Sequence, residues 1–370
     1  MKSTTILMVN WSGTYGGAEK YQLNIVRAFD QSRYRFIFAS PEGEWPGRLA
    51  EAGYQHYAVP MRAGLDVQSV LRLRRIIRDE QVDIVHAQQS RGLVQAGLAA
   101  KLAGRAAVVQ TEHNMSLGWY TGGMFPWYVR WINNPLRSVV ARLIADRIIT
   151  LGQSGRDFYT RILHLPPAMI AIIPVPHPVL AGHPAPANPS PIIGTPAELS
   201  ERKGLLHLLD AAPVVLQTYP DAQFLIIGRG PLESRLRELI TERGLQNNIH
   251  LLGFVPNVAE RMPEWDMLVL PSLWDPFPQV ILEAMAQGLP VVASAVDGAL
   301  EMVVDGETGF LVPPADVQAL AAAILHLLGD RALARRMGQQ GRQRVADVYN
   351  LEGVVKKIDA LYQELLGGDR

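Results

Sequence analysis

No cysteine occurs anywhere in the 370-residue sequence. That removes disulfide frameworks, thiolate zinc sites, iron–sulfur clusters and a cysteine nucleophile together. It is compatible with any compartment. No stretch approaches 18 uninterrupted apolar residues, so no transmembrane helix is expected. The apolar run at 6–9 is too short for a signal-peptide core. A cytoplasmic location is therefore the expectation, with peripheral attachment at the inner membrane face as an option. Net charge is also missing: 35 Lys and Arg balance 35 Asp and Glu. The two halves are not balanced, however. Residues 1–175 hold 20 basic and 12 acidic side chains, a net +8, and residues 176–370 hold 15 and 23, a net −8. A basic half suits a polyanionic partner, either nucleic acid or an anionic membrane surface. The plain alternative is two solvated domains whose charges attract. No RNA- or DNA-reading motif is present, so nucleic acid is not expected.

What the sequence does have is alternation. Apolar β-like runs at 5–10, 36–39, 57–59, 83–87 and 108–112 are separated by amphipathic stretches at 18–29, 48–52, 67–79 and 92–102. Parallel strands joined by helices are the pattern of a doubly wound α/β sheet. Residues 176–191 carry prolines at short intervals and read as an interdomain linker. The alternation then restarts, with strands at 192–194, 224–228, 249–252, 267–271 and 290–294. Helices are expected at 205–216, 231–243, 258–264, 279–287, 319–328 and 331–349. At roughly 100–200 residues per domain, the length fits two such units. The expected domains are 1–178 and 190–350, with a last helix in 351–370 crossing back to the first.

Two glycine-rich strand-to-helix junctions could cradle a phosphate, Gly13-Thr14-Tyr15-Gly16-Gly17 and Gly228-Arg229-Gly230-Pro231. Glycine permits close backbone approach, and a helix N-terminus offers free N–H groups and a partial positive charge. A tight turn explains either equally simply, and neither completes a dinucleotide fingerprint or a Walker A loop. Asp275 falls in the loop after the strand at 267–271, and Glu283 on the following helix. Ligands bind at the carboxyl ends of parallel strands. A carboxylate there can accept two hydroxyls of a sugar or ribose, or it can simply cap a loop. His86 and His113 each end a predicted strand. No His/Asp/Glu spacing argues for a metal.

The segments Phe-Leu-Ile-Ile-Gly-Arg-Gly-Pro-Leu, Met-Leu-Val-Leu-Pro-Ser-Leu-Trp, Ile-Leu-Glu-Ala-Met-Ala-Gln-Gly-Leu-Pro-Val-Val-Ala-Ser and Asp-Gly-Glu-Thr-Gly-Phe-Leu-Val-Pro-Pro resemble the nucleotide-sugar domain of GT-B fold, family 4 retaining glycosyltransferases. The first half fits more loosely, through Gly-Gly-Ala-Glu and Thr111-Glu112-His113-Asn114. The resemblance implies two Rossmann-like domains facing across a cleft. It also implies a nucleotide-diphosphate sugar donor of UDP or GDP type, a sugar or lipid-linked acceptor, no cofactor, no metal, and retention of the anomeric configuration. By position, Asp275 would bind donor sugar hydroxyls and Glu283 the ribose. Lys203 would pair with the diphosphate, Gly16 and Gly17 would supply backbone donors near it, and His113 would lie near the reacting sugar. The alternative is a non-catalytic relative that binds a sugar nucleotide or a partner without transfer.

The departures from the family pattern are local. Where the family has Gly-Arg, this chain has Ala197-Glu198, so the diphosphate-binding arginine has become a glutamate. Arg229 stands where the family has an acid. The expectation is a charge swap, in which Glu198 pairs with Arg229 and Arg229 serves the diphosphate. Three of the seven tryptophans fall in 119–131, followed by Arg137, Arg142 and Arg147, and the helix at 67–79 adds Arg72, Arg74, Arg75 and Arg78. Aromatics beside arginines suit a membrane interface; aromatics packed beneath a loop explain them as well.

Overall fold

The structure is a computed structural model and describes residues 3–62, 66–104, 106–113, 137–178 and 190–367. The chain divides into two compact units. Unit 1 comprises Met1–Pro176 with Leu351–Arg370, and unit 2 comprises His177–Asn350.

Unit 1 is built on seven strands: β1 (Thr4–Val9), β2 (Tyr34–Ser40), β3 (Gln55–Ala58), β4 (Ile84–Gln88), β5 (Ala107–Glu112), β6 (Arg147–Thr150) and β7 (Ile170–Ile172). They pair in the order β3-β2-β1-β4-β5-β6-β7, and every pair is parallel. The central strands are buried along their whole length, so they read as apolar runs rather than alternating ones. The helices used below are α1 (Gly17–Ala28), α2 (Glu44–Glu51), α3 (Val67–Asp79), α4 (Gln89–Ala103) and α5, a helical stretch over 137–144. Asp66 caps α3, its Oδ1 accepting from Gln68 N at 3.2 Å and Ser69 N at 3.3 Å. Leu73, Ile77, Leu93, Ala96 and Ile144 turn inward onto the sheet's core.

Unit 2 repeats the plan with β8 (Ile192–Pro196), β9 (Gln223–Ile227), β10 (Ile249–Gly253), β11 (Met267–Leu270), β12 (Val291–Ser294) and β13 (Gly309–Val312). The order is β10-β9-β8-β11-β12-β13, again all parallel. Its helices are α6 (Leu205–Thr218), α7 (Glu233–Glu242), α8 (Gln279–Gln287), α9 (Val317–Gly329) and α10 (Arg331–Val348). In both sheets the strand order reverses beside the first strand, between β1 and β4 and between β8 and β11. Such a reversal opens a crevice at the carboxyl ends of the strands.

The last helix, α11 (Leu351–Gly367), belongs to unit 1. Tyr362 stacks on Phe29 with centroids 5.8 Å apart. Asp359 takes Arg33 at 3.2 Å and the Tyr34 hydroxyl, and Arg147 pairs with Glu364.

Some expectations fail for physical reasons. Residues 258–264 form a 3-10 helix rather than an α-helix, with Pro263 inside it. The helix expected from 231 begins at Glu233, because Leu232 N is drawn to Leu199 O at 2.9 Å. The aromatic run at 115–131 lies outside the described residues. Of the arginines behind it, Arg137 bonds Ser90 Oγ at 2.9 Å, and Arg147 is held by Glu364. No single helix among the described residues is long and apolar enough to cross a membrane.

Candidate active site

In unit 2 the loop after β8 folds back against the loop after β11. Gly204 makes this possible. It sits at φ +63°, and a Cβ there would lie 1.9 Å from Pro271 O. The contact brings two of the candidate residues together: Lys203 Nζ forms an ion pair with Asp275 Oδ2. Both side chains are nearly withdrawn from solvent, at 11% and 8% exposed. A buried ion pair is retained when each charge answers the other, since either alone is costly to bury. Gly298 N donates to Asp275 O at 3.2 Å and holds the far side of the loop.

The Gly-Arg-Gly junction is a packing device. A Cβ on Gly228 would lie 1.9 Å from Ala197 O, and one on Gly230 would lie 2.4 Å from Leu199 O. Leu199 N donates to Arg229 O at 3.0 Å. The glycines therefore let two loops touch, and the tight-turn reading explains them. Arg229 itself is exposed.

The predicted Glu198–Arg229 pair is not formed. Glu198 Oε2 instead takes Arg202, with Nη2 at 2.8 Å and Nε at 3.1 Å, and Ser200 Oγ adds a bond at 3.3 Å. These bonds hold the Glu198 carboxyl below its ordinary pKa, the Arg202 hydrogen bond first among the causes. A partner four residues away in the same loop needs no second loop to be ordered, so the local pair wins. The Arg202 guanidinium also lies over the Trp274 ring, 5.2 Å from its centroid, and Arg202 O accepts from Leu273 N at 2.8 Å. Arg202 and Trp274 are site neighbours that motif reading overlooked, although the i, i+4 spacing of Glu198 and Arg202 was there to be seen. Glu283 lies half-buried on α8, in the helix that follows the Asp275 loop.

In unit 1 the corresponding edge carries two neutral imidazoles, with the buried carboxyl side chains of Glu19 and Glu112 nearby. His113 follows β5, and its Nε2 lies 2.9 Å from Gln88 Oε1 at the end of β4. With the Gln88 amide oxygen facing the ring, Nε2 carries the proton and Nδ1 is left as the acceptor. The Tyr21 ring meets His113 edge-on at 5.2 Å. Burial pushes the His113 pKa down to about 4, so the ring is neutral at pH 7. His86, one rung back on β4, is committed elsewhere. Its Nδ1 meets Tyr362 Oη at 2.6 Å, and its Nε2 meets Thr111 Oγ1 at 2.7 Å. Burial, with His113 nearby, lowers its pKa to about 3.

Gly16 precedes the first turn of α1, and its N–H donates to Glu19 Oε2 at 3.1 Å. That amide is thus engaged within the loop. The first-turn N–H groups of Gly17, Ala18 and Glu19 have no carbonyl four residues back inside the helix, whereas Lys20 N donates to Gly16 O at 3.0 Å. The ends of β1 and β4 and the buried side of α1 add polar atoms that sequence reading passed over: Asn10 Oδ1, Gln88 Nε2 and Tyr21 Oη have no protein partner.

Comparison with known proteins agrees with this architecture. The family described as glycosyltransferase family 4 matches residues 15–176, and that described as glycosyl transferases group 1 matches 183–344. A phosphatidyl-myo-inositol mannosyltransferase of Mycobacterium leprae is 30% identical, over 94% of this chain and 93% of its own. The Escherichia coli UDP-Gal:alpha-D-GlcNAc-diphosphoundecaprenol alpha-1,3-galactosyltransferase is 26% identical, over 81% of this chain and 80% of its own. Among solved structures, Anabaena HepE in complex with UDP superposes with a TM-score of 0.84 at 21% identity, covering 98% of this chain and all of the other. Two parallel sheets of one strand order, matched along nearly their whole length by these relatives, place the chain among the GT-B fold, family 4 glycosyltransferases of group 1.

Proposed function

We propose that the chain moves a sugar from a nucleoside-diphosphate sugar of UDP or GDP type to a lipid-linked acceptor, retaining the anomeric configuration and using no metal ion. The observation that carries this reading is the Lys203–Asp275 pair at the carboxyl edge of unit 2. A cation and a carboxylate held side by side suit a ligand bearing both an anion and hydroxyls. In this reading Lys203 takes the diphosphate, Asp275 the sugar hydroxyls and Glu283 the ribose. As the sugar–phosphate bond breaks, negative charge grows on the leaving oxygen. A cation already fixed beside it stabilises that charge without reorganising, which is the work a divalent ion would otherwise do. Arg229 adds an exposed cation, and the α1 N-terminus adds partial positive charge. Neutral His113 offers its Nδ1 lone pair to a hydroxyl of the sugar in transit.

Two relatives support the acceptor class, one named for a diphosphoundecaprenol-linked sugar and another for phosphatidyl-myo-inositol. The competing reading, binding without transfer, is favoured by Glu198 standing where the family has arginine. Against it, the Arg202 guanidinium lies 2.8 Å from the Glu198 carboxylate and neutralises the charge that the glutamate brings.

The test is a thermal-shift panel of UDP- and GDP-sugars, followed by hydrolysis of whichever donor binds. A ligand that binds the native state raises its apparent stability. One base class should raise Tm, slow donor hydrolysis should follow, and EDTA should leave it unchanged. His113→Ala should keep the Tm shift while losing turnover. No shift with any donor defeats the reading, and a shift without turnover selects binding without transfer.

A further inference from the structure

Gln88 ends β4 and directly precedes α4, with no loop between them. Gln89, which opens α4, takes φ +63°, a left-handed value that a non-glycine residue rarely adopts. Such turns persist where the surrounding structure holds them, and they gather at functional sites. Here strand pairing holds one side. β4 lies beside β1 with Ala87 opposite Val9, and beside β5 with Gln88 opposite Thr111. The Gln88 backbone is therefore fixed where the strand order reverses, and the residue is only 3% exposed.

The Gln88 amide turns its oxygen to the ring, Oε1 lying 2.9 Å from His113 Nε2. Its own Nε2 has no partner among the described residues. The two ends of an amide act oppositely on an imidazole. With the oxygen inward, the ring proton stays on Nε2 and Nδ1 keeps its lone pair. With the amide turned over, its N–H groups would meet the ring nitrogen and the proton would move to Nδ1. One rotation of Gln88 thus selects which ring nitrogen can accept.

The other groups around the ring are neutral or already occupied. Tyr21 of α1 meets it edge-on at 5.2 Å, and burial pushes the Tyr21 hydroxyl well up, so it holds its proton. His86 of β4 is neutral and bonded to Tyr362 and Thr111. Glu19 of α1 accepts from Asn10 at 3.4 Å and from Gly16 N at 3.1 Å. Glu112, the residue before the histidine, accepts from Tyr159 at 3.2 Å and from Gln110 at 3.3 Å.

We propose that Gln88 is a positioning residue for sugar transfer: its amide oxygen fixes the tautomer of His113, so that Nδ1 accepts a hydrogen bond from a substrate hydroxyl without taking its proton. A carboxylate at this position would do the opposite. It would stabilise the imidazolium and turn Nδ1 into a donor. The amide supplies direction without charge. The inference rests on the donor reading in one respect, that His113 meets the substrate.

The experiment is nuclear magnetic resonance of the full chain carrying 15N-labelled histidine, set beside the pH profile of donor hydrolysis. The donor is the one that the thermal-shift panel selects, and the His113 signal is assigned by its loss in His113→Gln. The parent ring should be neutral with its proton on Nε2, titrating at about 4. Gln88→Glu should raise that titration by about 1–3 pH units. The acid limb of kcat should rise with it, because a protonated Nδ1 no longer accepts, and above that limb kcat should return toward the parent's. Gln88→Met keeps the length and loses the acceptor. Its kcat should fall on the order of tenfold, as for other partners that orient an imidazole, while the donor KM holds. A residue that only filled space would lower the thermal melt and leave turnover per folded molecule alone. Gln223→Glu makes the same change beside His250 in unit 2, where the pair lies at 2.6 Å, and should keep the parent's pH profile. The proposal fails if Gln88→Glu leaves the ring titration in place, or if Gln88→Met turns over as the parent does. It fails too if the titration rises while the acid limb stays, since turnover then does not read the ring. Absence of hydrolysis by the parent defeats the donor reading instead, and the ring titration still decides whether Gln88 sets the tautomer.

Discussion

The two units share a strand order and a switch point, yet they furnish the crevice edge in opposite ways. Unit 2 places paired charges there: Lys203 with Asp275, and Glu198 with Arg202. Unit 1 places neutral hydrogen-bonding groups there, His113 with Gln88 and His86 between Tyr362 and Thr111. One architecture thus supports an edge of ion pairs and an edge of neutral, hydrogen-bonded imidazoles. Function has to be argued from the residues grafted at that edge, because the sheet beneath them is common to both.

The largest expected break in this contrast is at the ionic edge. Lys203→Met strands the Asp275 carboxylate in a buried site, and losing one partner of such a pair costs about 3–5 kcal/mol. Urea unfolding should show that loss in unit 2. The double variant Lys203→Met/Asp275→Leu should recover much of it, because no charge is then left unanswered.

Acid should act on the neutral edge. His86 and His113 have pKa values depressed to about 3 and about 4, against about 6.5 unfolded. For a base lowered by folding, the unfolded chain binds the extra proton first. The stabilisation is whole above pH 6.5 and is lost as pH falls toward 4, on the order of 3 kcal/mol for His113 alone. Hydrogen exchange across this range should show unit 1 amides losing protection before those of unit 2, and His113→Gln should flatten the slope. Simultaneous loss in both units would erase the contrast.

Glycines sharpen it further. Gly204 and Gly104 both have positive φ, but a Cβ on Gly204 strikes Pro271 O, while one on Gly104 meets nothing within 4 Å. Gly204→Ala should cost more than about 2 kcal/mol, and Gly104→Ala about 1 kcal/mol or less, by equilibrium unfolding. An effect between these two belongs to the hydroxyl that reaches His86. Tyr362→Phe should cost about 1–2 kcal/mol, chiefly by leaving a ring nitrogen unpaired, and the acid midpoint of unit 1 should shift with it.

Much of this was legible in the sequence. The long buried strands announce themselves as apolar runs, and Lys203 and Asp275 both fall just beyond strand ends. Their contact was not legible, because it depends on the positive φ of Gly204 and on a close approach between loops about 70 residues apart. Strands β6, β7 and β13 went unseen because segments as short as Ile170–Ile172 carry too little periodicity to stand out from loop. The partner of Glu198 was misjudged by favouring a cross-loop pairing over one at local helical spacing. The orphaned polar atoms of Asn10, Tyr21 and Gln88 come from three separate elements, and only the assembled sheet places them near one edge.

The docking of α11 has a consequence for how the molecule is made. Unit 1 is interrupted by the 174 residues of unit 2, from His177 to Asn350. At about 5–20 residues per second, the ribosome takes roughly ten to forty seconds to cross that insertion. During that interval Phe29, Tyr34 and the Nδ1 of His86 wait without the helix that will cover them. Synthesis of α11, rather than emergence of the first half of the chain, is the event that covers these side chains.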